Sequence, residues 1–178
     1  MMPDQKPGRS RQDYGTPREF LEAVEARFGT LAWDLAASTA NNVCGILRDR
    51  YRTFYGPGSS AGQDALEQDW TELSGTLWLN PEFGDLAPWA KKCADTIAMA
   101  RADRKRAHRH DLRVCLLTPA SVGAEWFHEH VHGRALVLGL SPRLTFVGET
   151  SPYPKDLSLS VFGADRVGFE PWRWMDRR

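Results

Sequence analysis

The sequence predicts an α/β fold in which a mainly parallel sheet is covered by helices on both faces. Two observations carry this prediction. Apolar runs of strand length alternate with amphipathic stretches of helix length, and the chain finishes in several short apolar runs. With 178 residues, 42% of them hydrophobic, the chain is long enough for one domain with a sizeable core and cramped for two.

The elements follow in order. In "TPREFLEAVEARFG", Thr16 is the expected N-cap and Pro17 the first helical residue. Phe20, Leu21, Val24 and Phe28 share one face, and Gly29 marks the stop. "TLAWDLAAS" reads as a strand, followed by a loop and a short helix in "TANNVCGILRDRY". "YGPGSSAGQDA" is a loop by its Gly, Pro and Ser content. "GTLWLNPEF" is a second strand running into a turn at Asn80-Pro81. Residues 86–104 are helical, with Trp89, Cys93, Ile97 and Ala100 on the inner stripe, and "RADRKRAHRHDLR" forms the charged end. "RVCLLTPAS" is a buried strand and "SVGAEWFHEHVHG" a helix closed by Gly133. "RALVLGL", "RLTFVG" and "LSLSVFG" read as strands, the last two separated by "ETSPYPKD". No internal repeat is present.

Charge and composition narrow the function classes. The 23 basic and 23 acidic residues cancel, so a nucleic-acid partner would be held by a local basic patch. Three cysteines at wide spacing, without a C-x-x-C, argue against a disulfide framework or a zinc ribbon and fit a reducing cytoplasm. No run approaches the length of a membrane span, and residues 1–13 are polar, so the expectation is a soluble intracellular protein with a flexible, mildly basic amino-terminal tail. His128, His130 and His132 resemble a metal cluster. A spacing of two on a helix points successive side chains to different faces, so surface histidines are expected and no metal. Trp33, Trp78, Trp89 and Trp126 fall on inward-facing positions, whereas "PWRWMDRR" either packs back or contacts a partner.

Two strand ends could carry chemistry. In open α/β sheets, ligands bind outside the carboxyl ends of the strands. Asp34 closes the first strand and is followed by Ala36, Ala37 and Ser38, small enough for a ligand to approach the backbone. Its carboxylate can accept from an ammonium or hydroxyls, or it simply caps the next helix. Asn80-Pro81-Glu82-Phe83 closes a later strand. An aromatic amine is a poor nucleophile because its lone pair is delocalised into the ring. Acceptors aimed at the amino hydrogens, the Asn80 oxygen and the Pro81 carbonyl, draw that pair back onto nitrogen, and Phe83 offers a stacking face. The plain alternative is an Asn-Pro turn beside a core Phe.

The pieces "TPREFLEAVEARFG", "WDLAASTANNVC", "DALEQDW", "WLNPEFGDLAPWAKK", "CLLTPASVGAEWFHEHV", "RLTFVG" and "LSLSVFG", in this order from about Tyr14 to Phe162, resemble the small phage-type DNA adenine N6-methyltransferases. The resemblance implies a Rossmann-like fold, S-adenosylmethionine as methyl donor, and DNA as substrate with its adenine flipped from the stack. It implies Asn80, Pro81, Glu82 and Phe83 as the catalytic motif, and Thr16, Pro17, Asp34, Ala36, Ala37 and Asp64 as cofactor-binding residues. Glu82 departs from the family, which usually has a second proline there. The change loosens the turn and adds a carboxylate, which either tunes the site or leaves an impaired or silent relative that still binds cofactor or DNA.

With that resemblance in place, the basic residues Arg101, Arg104, Lys105, Arg106, Arg109 and Arg113 are candidates for DNA phosphates; otherwise they are a solvated helix end. The implied organisation is a tail at 1–13, one methyltransferase domain at 14–165 and a carboxyl-terminal tail at 166–178. The expected setting is the cytoplasm of a bacterial or phage-infected cell. The core takes up nearly the whole chain, so a short or relaxed target sequence is expected, read by the loops at 101–113 and 141–156. The same Asn-Pro-x-aromatic device would also serve cytosine N4 or adenine in RNA.

Overall fold

The computed structural model describes residues 14–38, 41–43, 53–103 and 111–175. Its frame is one six-stranded sheet in the order β1-β2-β3-β5-β4-β6. The strands are β1 Leu31–Asp34, β2 Thr76–Leu79, β3 Arg113–Pro119, β4 Ala135–Ser141, β5 Leu157–Phe162 and β6 Gly168–Arg173. Three α-helices are present among the described residues: α1 Arg18–Phe28, α2 Ala87–Ala102 and α3 Glu125–His130. Single turns of 3-10 helix occupy Ala65–Glu67 and Trp70–Glu72.

Period-two alternation sorts the strands onto two cores. Leu77, Leu79, Val114, Leu116, Val137 and Phe162 face a cluster that contains Cys93 and Ile97 of α2 and Phe127 of α3. Their neighbours Trp78, Cys115, Leu117, Leu136, Leu159 and Val161 face the opposite way, onto Phe20, Leu21 and Val24 of α1. Helices therefore cover both faces, as the sequence predicts. Leu116 is wholly buried at the centre, where truncation to Ala costs about 2–5 kcal/mol.

The sheet is mixed, which corrects the expectation of a mainly parallel one. β1, β2 and β3 run parallel, as do β4 and β6, but β5 is antiparallel to both β3 and β4. The connection at 142–156 explains the reversal. It contains no crossover helix to carry the chain back for a parallel pairing, so the strand that follows returns alongside β4.

Three local expectations change. Pro17, rather than Thr16, bounds α1: its carbonyl accepts from the amides of Phe20 and Leu21 at 3.1 and 3.2 Å. The stop is at Gly29, whose φ of 90° lies in the region glycine tolerates. "RLTFVG" is not a strand. Leu144 and Phe146 are buried in alternation, but the backbone partners are Gly15, whose carbonyl accepts from Val147, and Tyr153, whose amide donates to Leu144. Residues 166–178 are expected as a tail, but Gly168–Arg173 within them form β6. Its Pro171 is tolerated because β6 is an edge strand. Trp172 and Trp174 pack onto the α1-side core, and Trp174 Nε1 donates to the Pro142 carbonyl at 2.6 Å. His128 and His132 stack on each other with ring centroids 5.8 Å apart. The short helix expected within 39–51 falls mostly outside the described residues.

Candidate active site at the carboxyl ends of the strands

β1 and β2 are parallel neighbours, so Asp34 and Asn80 emerge at the same edge of the sheet. The Leu35 amide donates to the Trp78 carbonyl at 2.8 Å, which holds the two strand ends together. Between them lies a polar cleft lined by Tyr14, Thr16, Asp34, Ala36, Asn41, Val43, Trp78 and Asn80.

Asp34 forms one wall. Its Oδ2 accepts from the Val43 amide at 2.9 Å and its Oδ1 from the Ala36 amide at 3.3 Å, so the carboxylate folds the loop after β1 back on the strand end. The residue is only 4% exposed. Burial pushes its carboxyl up to about 7, while the two backbone donors pull the other way without offsetting it. A carboxylate has about four acceptor sites, and two are used. The desolvated group thus has capacity for further donors, which suits ribose hydroxyls or an ammonium. The loop is backed by residues 53–56. The Asp34 amide donates to the Thr53 carbonyl, the Tyr55 amide to the Asp34 carbonyl, and the Ala37 amide to the Tyr55 carbonyl. Gly56 has φ of 137°, and a Cβ there would lie 1.8 Å from the Ala37 carbonyl oxygen; only glycine permits this approach.

Asn80 forms the opposite wall, and its orientation is determined. Its Nδ2 donates to the Tyr14 carbonyl at 3.0 Å and to Thr16 Oγ1 at 3.3 Å. A backbone carbonyl only accepts, so the amide nitrogen must face the amino-terminal segment. The Asn80 oxygen is thereby turned away from that segment, and no described residue donates to it. Pro81 is buried and fixes the chain that follows, whereas Glu82 is exposed and makes no ion pair with a described residue.

An aromatic cluster adjoins the turn. Phe83 packs edge-on against Tyr153 at 5.8 Å and tilted against Phe146 at 6.5 Å. Tyr14 stacks on Phe146 at 4.9 Å. The loop at 142–156 therefore supplies rings beside the Asn-Pro turn, and burial raises the Tyr153 hydroxyl above its ordinary range.

Thr16, Asp34, Ala36 and Asn80 thus meet in one cleft, with Pro17, Ala37, Pro81 and Phe83 flanking it in sequence. Asp64 does not join them. It is exposed, and its side chain caps the turn at Ala65–Glu67 through the Leu66 amide at 2.9 Å. Arg101 and Arg113 lie elsewhere too, at the end of α2 and the start of β3. Thr76 pairs with Arg113 and Leu79 with Leu116, so Asn80 lies four residues, roughly 13 Å, along the sheet from Arg113, and these two arginines sit at the opposite edge. Arg104, Lys105, Arg106 and Arg109 lie outside the described residues. Tyr14, Asn41, Val43 and Tyr153 join the site without a periodic signal in the sequence, whereas Trp78 and Phe146 are legible only as buried positions of apolar runs. Tyr14 is two residues before Thr16, Asn41 lies within "TANNVC", and Tyr153 stands between two prolines in a loop, which are positional hints only.

The fold and cleft define an α/β protein with a polar site at the ends of two parallel strands, fitted with an Asn-Pro-x-Phe turn. Residues 4–158 match the model of the DNA N-6-adenine-methyltransferase (Dam) family, and the chain belongs to that family. It is 27% identical over 159 residues to the DNA N-6-adenine-methyltransferase of Escherichia phage T1, an alignment covering 89% of this chain. The chain spans 57% of that relative's length. A solved structure described as a modification subunit of a putative type I restriction enzyme from Vibrio vulnificus YJ016 matches with a TM-score of 0.42 and 14% identity, over 86% of this chain and 45% of that one. No helix among the described residues is long and apolar enough to cross a membrane.

Proposed function

We propose that the protein transfers a methyl group from S-adenosylmethionine to the N6 amine of adenine in DNA, on a Rossmann-like methyltransferase fold whose sheet extends through β6. The observation that carries this reading is the fixed amide of Asn80. Both of its hydrogens are committed to Tyr14 and Thr16, so its oxygen is presented as an acceptor at the strand end.

That oxygen accepts one amino hydrogen of a flipped adenine and the Pro81 carbonyl accepts the other. Both acceptors are preorganised, one by hydrogen bonds and one by the proline ring. They localise the lone pair on N6 and stabilise the positive charge that grows there during attack. Phe83, with Tyr153 and Phe146 behind it, offers the base a stacking surface. Asp34, Thr16, Ala36 and Asn41 are the residues that would hold the cofactor. Asp34 has acceptor sites to spare, and Ala36 leaves room for close approach. When bound there, S-adenosylmethionine supplies an electrophilic methyl group on a sulfonium that leaves as a neutral thioether. The N6 proton departs to water after the new C–N bond forms.

Glu82 supports a second reading, in which the exposed carboxylate replacing the family's proline lowers or abolishes transfer while DNA and cofactor are still bound. Specificity is proposed to be short or relaxed, with the loop at 142–156 among the contacts. Incubation with labelled S-adenosylmethionine and unmethylated DNA, followed by identification of the labelled nucleoside, separates the readings. Label in N6-methyladenine is expected. Label in N4-methylcytosine redirects the proposal to another amine, and binding of both ligands without transfer supports the second reading.

A further inference from the structure

A second cleft opens at the opposite edge of the sheet, lined by Arg27, Phe28, Gly29, Arg113, Leu136, Ala164, Asp165 and Arg166. Its cations come from three separate places: the end of α1, the start of β3 and the β5–β6 turn. Their convergence is a product of the fold rather than of a charged run in the sequence.

The local balance of charge is positive. Glu170, on β6, bonds to both Arg27 and Arg166, and those two arginines hold its carboxyl below the usual range. Arg27 is further steadied by the rings of Phe28 and Trp172, at 5.3 and 5.0 Å from its guanidinium carbon. One carboxylate thus orders two guanidinium groups, each with five N–H donors, and leaves most of those donors unused. Arg113 faces Asp165 at 3.8 Å, beyond hydrogen-bond length, and the Asp165 side chain is 97% exposed, so that pair is weak. Arg101 stands at the rim, with its guanidinium donating to the Ala164 carbonyl at 3.3 Å. By contrast, the Asn80 edge carries exposed Glu82 and Asp85 beside its turn. A chain of zero net charge therefore places a group of arginines at one edge and acids beside the candidate catalytic turn at the other.

We propose that this cleft binds backbone phosphates of a DNA segment other than the one that presents its base to Asn80. Guanidinium forks match phosphate oxygens in pairs, and ordered forks from three elements match a phosphodiester better than an isolated small acid. Thr76 pairs with Arg113 and Asn80 lies four residues further along, so roughly 13 Å of strand separates the cleft from the catalytic turn; the two open at opposite ends of the strands, so a straight stretch of duplex seated on one does not lie in the other. The segment engaged is a bent flank or a second duplex. The proposal rests on DNA being the substrate, and it assigns Arg27, Arg113 and Arg166 to holding DNA rather than to the reaction.

The test compares binding of a duplex of about one helical turn with one several turns long, across a salt titration. The chains used are the wild type, Arg166→Ala, Arg166→Glu, Arg166→Lys and Asn80→Ala. The wild type is expected to bind the long duplex more tightly and with a steeper salt dependence than the short one. Arg166→Ala and Arg166→Glu should lower long-duplex affinity several-fold or more and flatten the log–log slope by about 1. Arg166→Lys, which keeps the charge, should retain the slope. Asn80→Ala should retain it as well while losing methyl transfer, which separates the cleft from the catalytic reading. Wild-type salt dependence in Arg166→Ala and Arg166→Glu, with methyl transfer to adenine present in the wild type, overturns the cleft and leaves the functional reading standing.

Discussion

Replacing Asp34 by Asn tests the electrostatics of the site without changing its shape. The Asp34 carboxyl titrates near 7 in the folded chain and near 3.8 when unfolded, because burial disfavours its charge. Below about pH 4 both states hold the proton and the full stability is present. Between about pH 4 and 7 the native state keeps a proton that the unfolded state has released, so stability falls by about 1.4 kcal/mol per pH unit. Over the roughly three units involved, the loss is about 4 kcal/mol, complete above pH 7. An asparagine at this position does not titrate. Its oxygen can still accept from the Val43 amide, but its NH2 cannot accept from Ala36, which adds a pH-independent cost of about 1–3 kcal/mol. Urea unfolding of both chains from about pH 4.5 to 8.5 isolates the difference, since all other groups cancel. Asp34→Asn should gain on the parent as pH rises, with the change centred between the two values. A stability difference that stays flat over this range refutes a buried, desolvated carboxyl at this position.

Under the proposed function, donors of a cofactor bound at Asp34 would favour its charged form, so binding near pH 6.5 should release protons; calorimetry in buffers of different ionisation enthalpy detects this, and Asp34→Asn should abolish it. Thr16→Val removes one of the two acceptors that orient Asn80. It should slow the transfer step about 3- to 10-fold with little change in KM for DNA, and Thr16→Ser should restore the rate. Phe83→Ala removes the stacking face beside the turn and should weaken binding of a flipped base by about 1–3 kcal/mol, read from the fluorescence of 2-aminopurine at the target position. Glu82→Pro stiffens the turn and removes its exposed charge, so the rate of transfer should rise if the carboxylate impairs the parent and fall if it helps. Single-turnover measurement gives the sign.

Much of the frame is legible in the sequence because it is periodic. α1, α2 and β1 through β5 announce themselves by spacing and by caps such as Gly29. β6 does not, since an edge strand with a proline and only partly buried side chains offers no apolar run. The reversal of β5 is encoded in its connection, which lacks a crossover helix, although its apolar run looks the same in either direction. "RLTFVG" shows the converse: alternating burial without a neighbouring strand is an extended loop. The strand-end acids and amides are readable because their elements are. Their partners are not. Tyr14 meets Asn80 across 66 residues, and Tyr153 meets Phe83 through a loop, so neither contact leaves a local trace. Thr16 has the local pattern of a helix cap, whereas the fold uses its hydroxyl to aim the Asn80 amide. Arg27, Arg113 and Arg166 converge only once the sheet has formed.

The most direct test of the central claim is the yield of N6-methyladenine in DNA treated with the parent chain and with Asn80→Ala, at saturating S-adenosylmethionine. If the Asn80 oxygen, held by Tyr14 and Thr16, is the acceptor for the adenine amine, the parent forms N6-methyladenine, and Asn80→Ala forms it about 100-fold more slowly or not at all while still binding cofactor. Transfer by Asn80→Ala at the parent rate contradicts the claim.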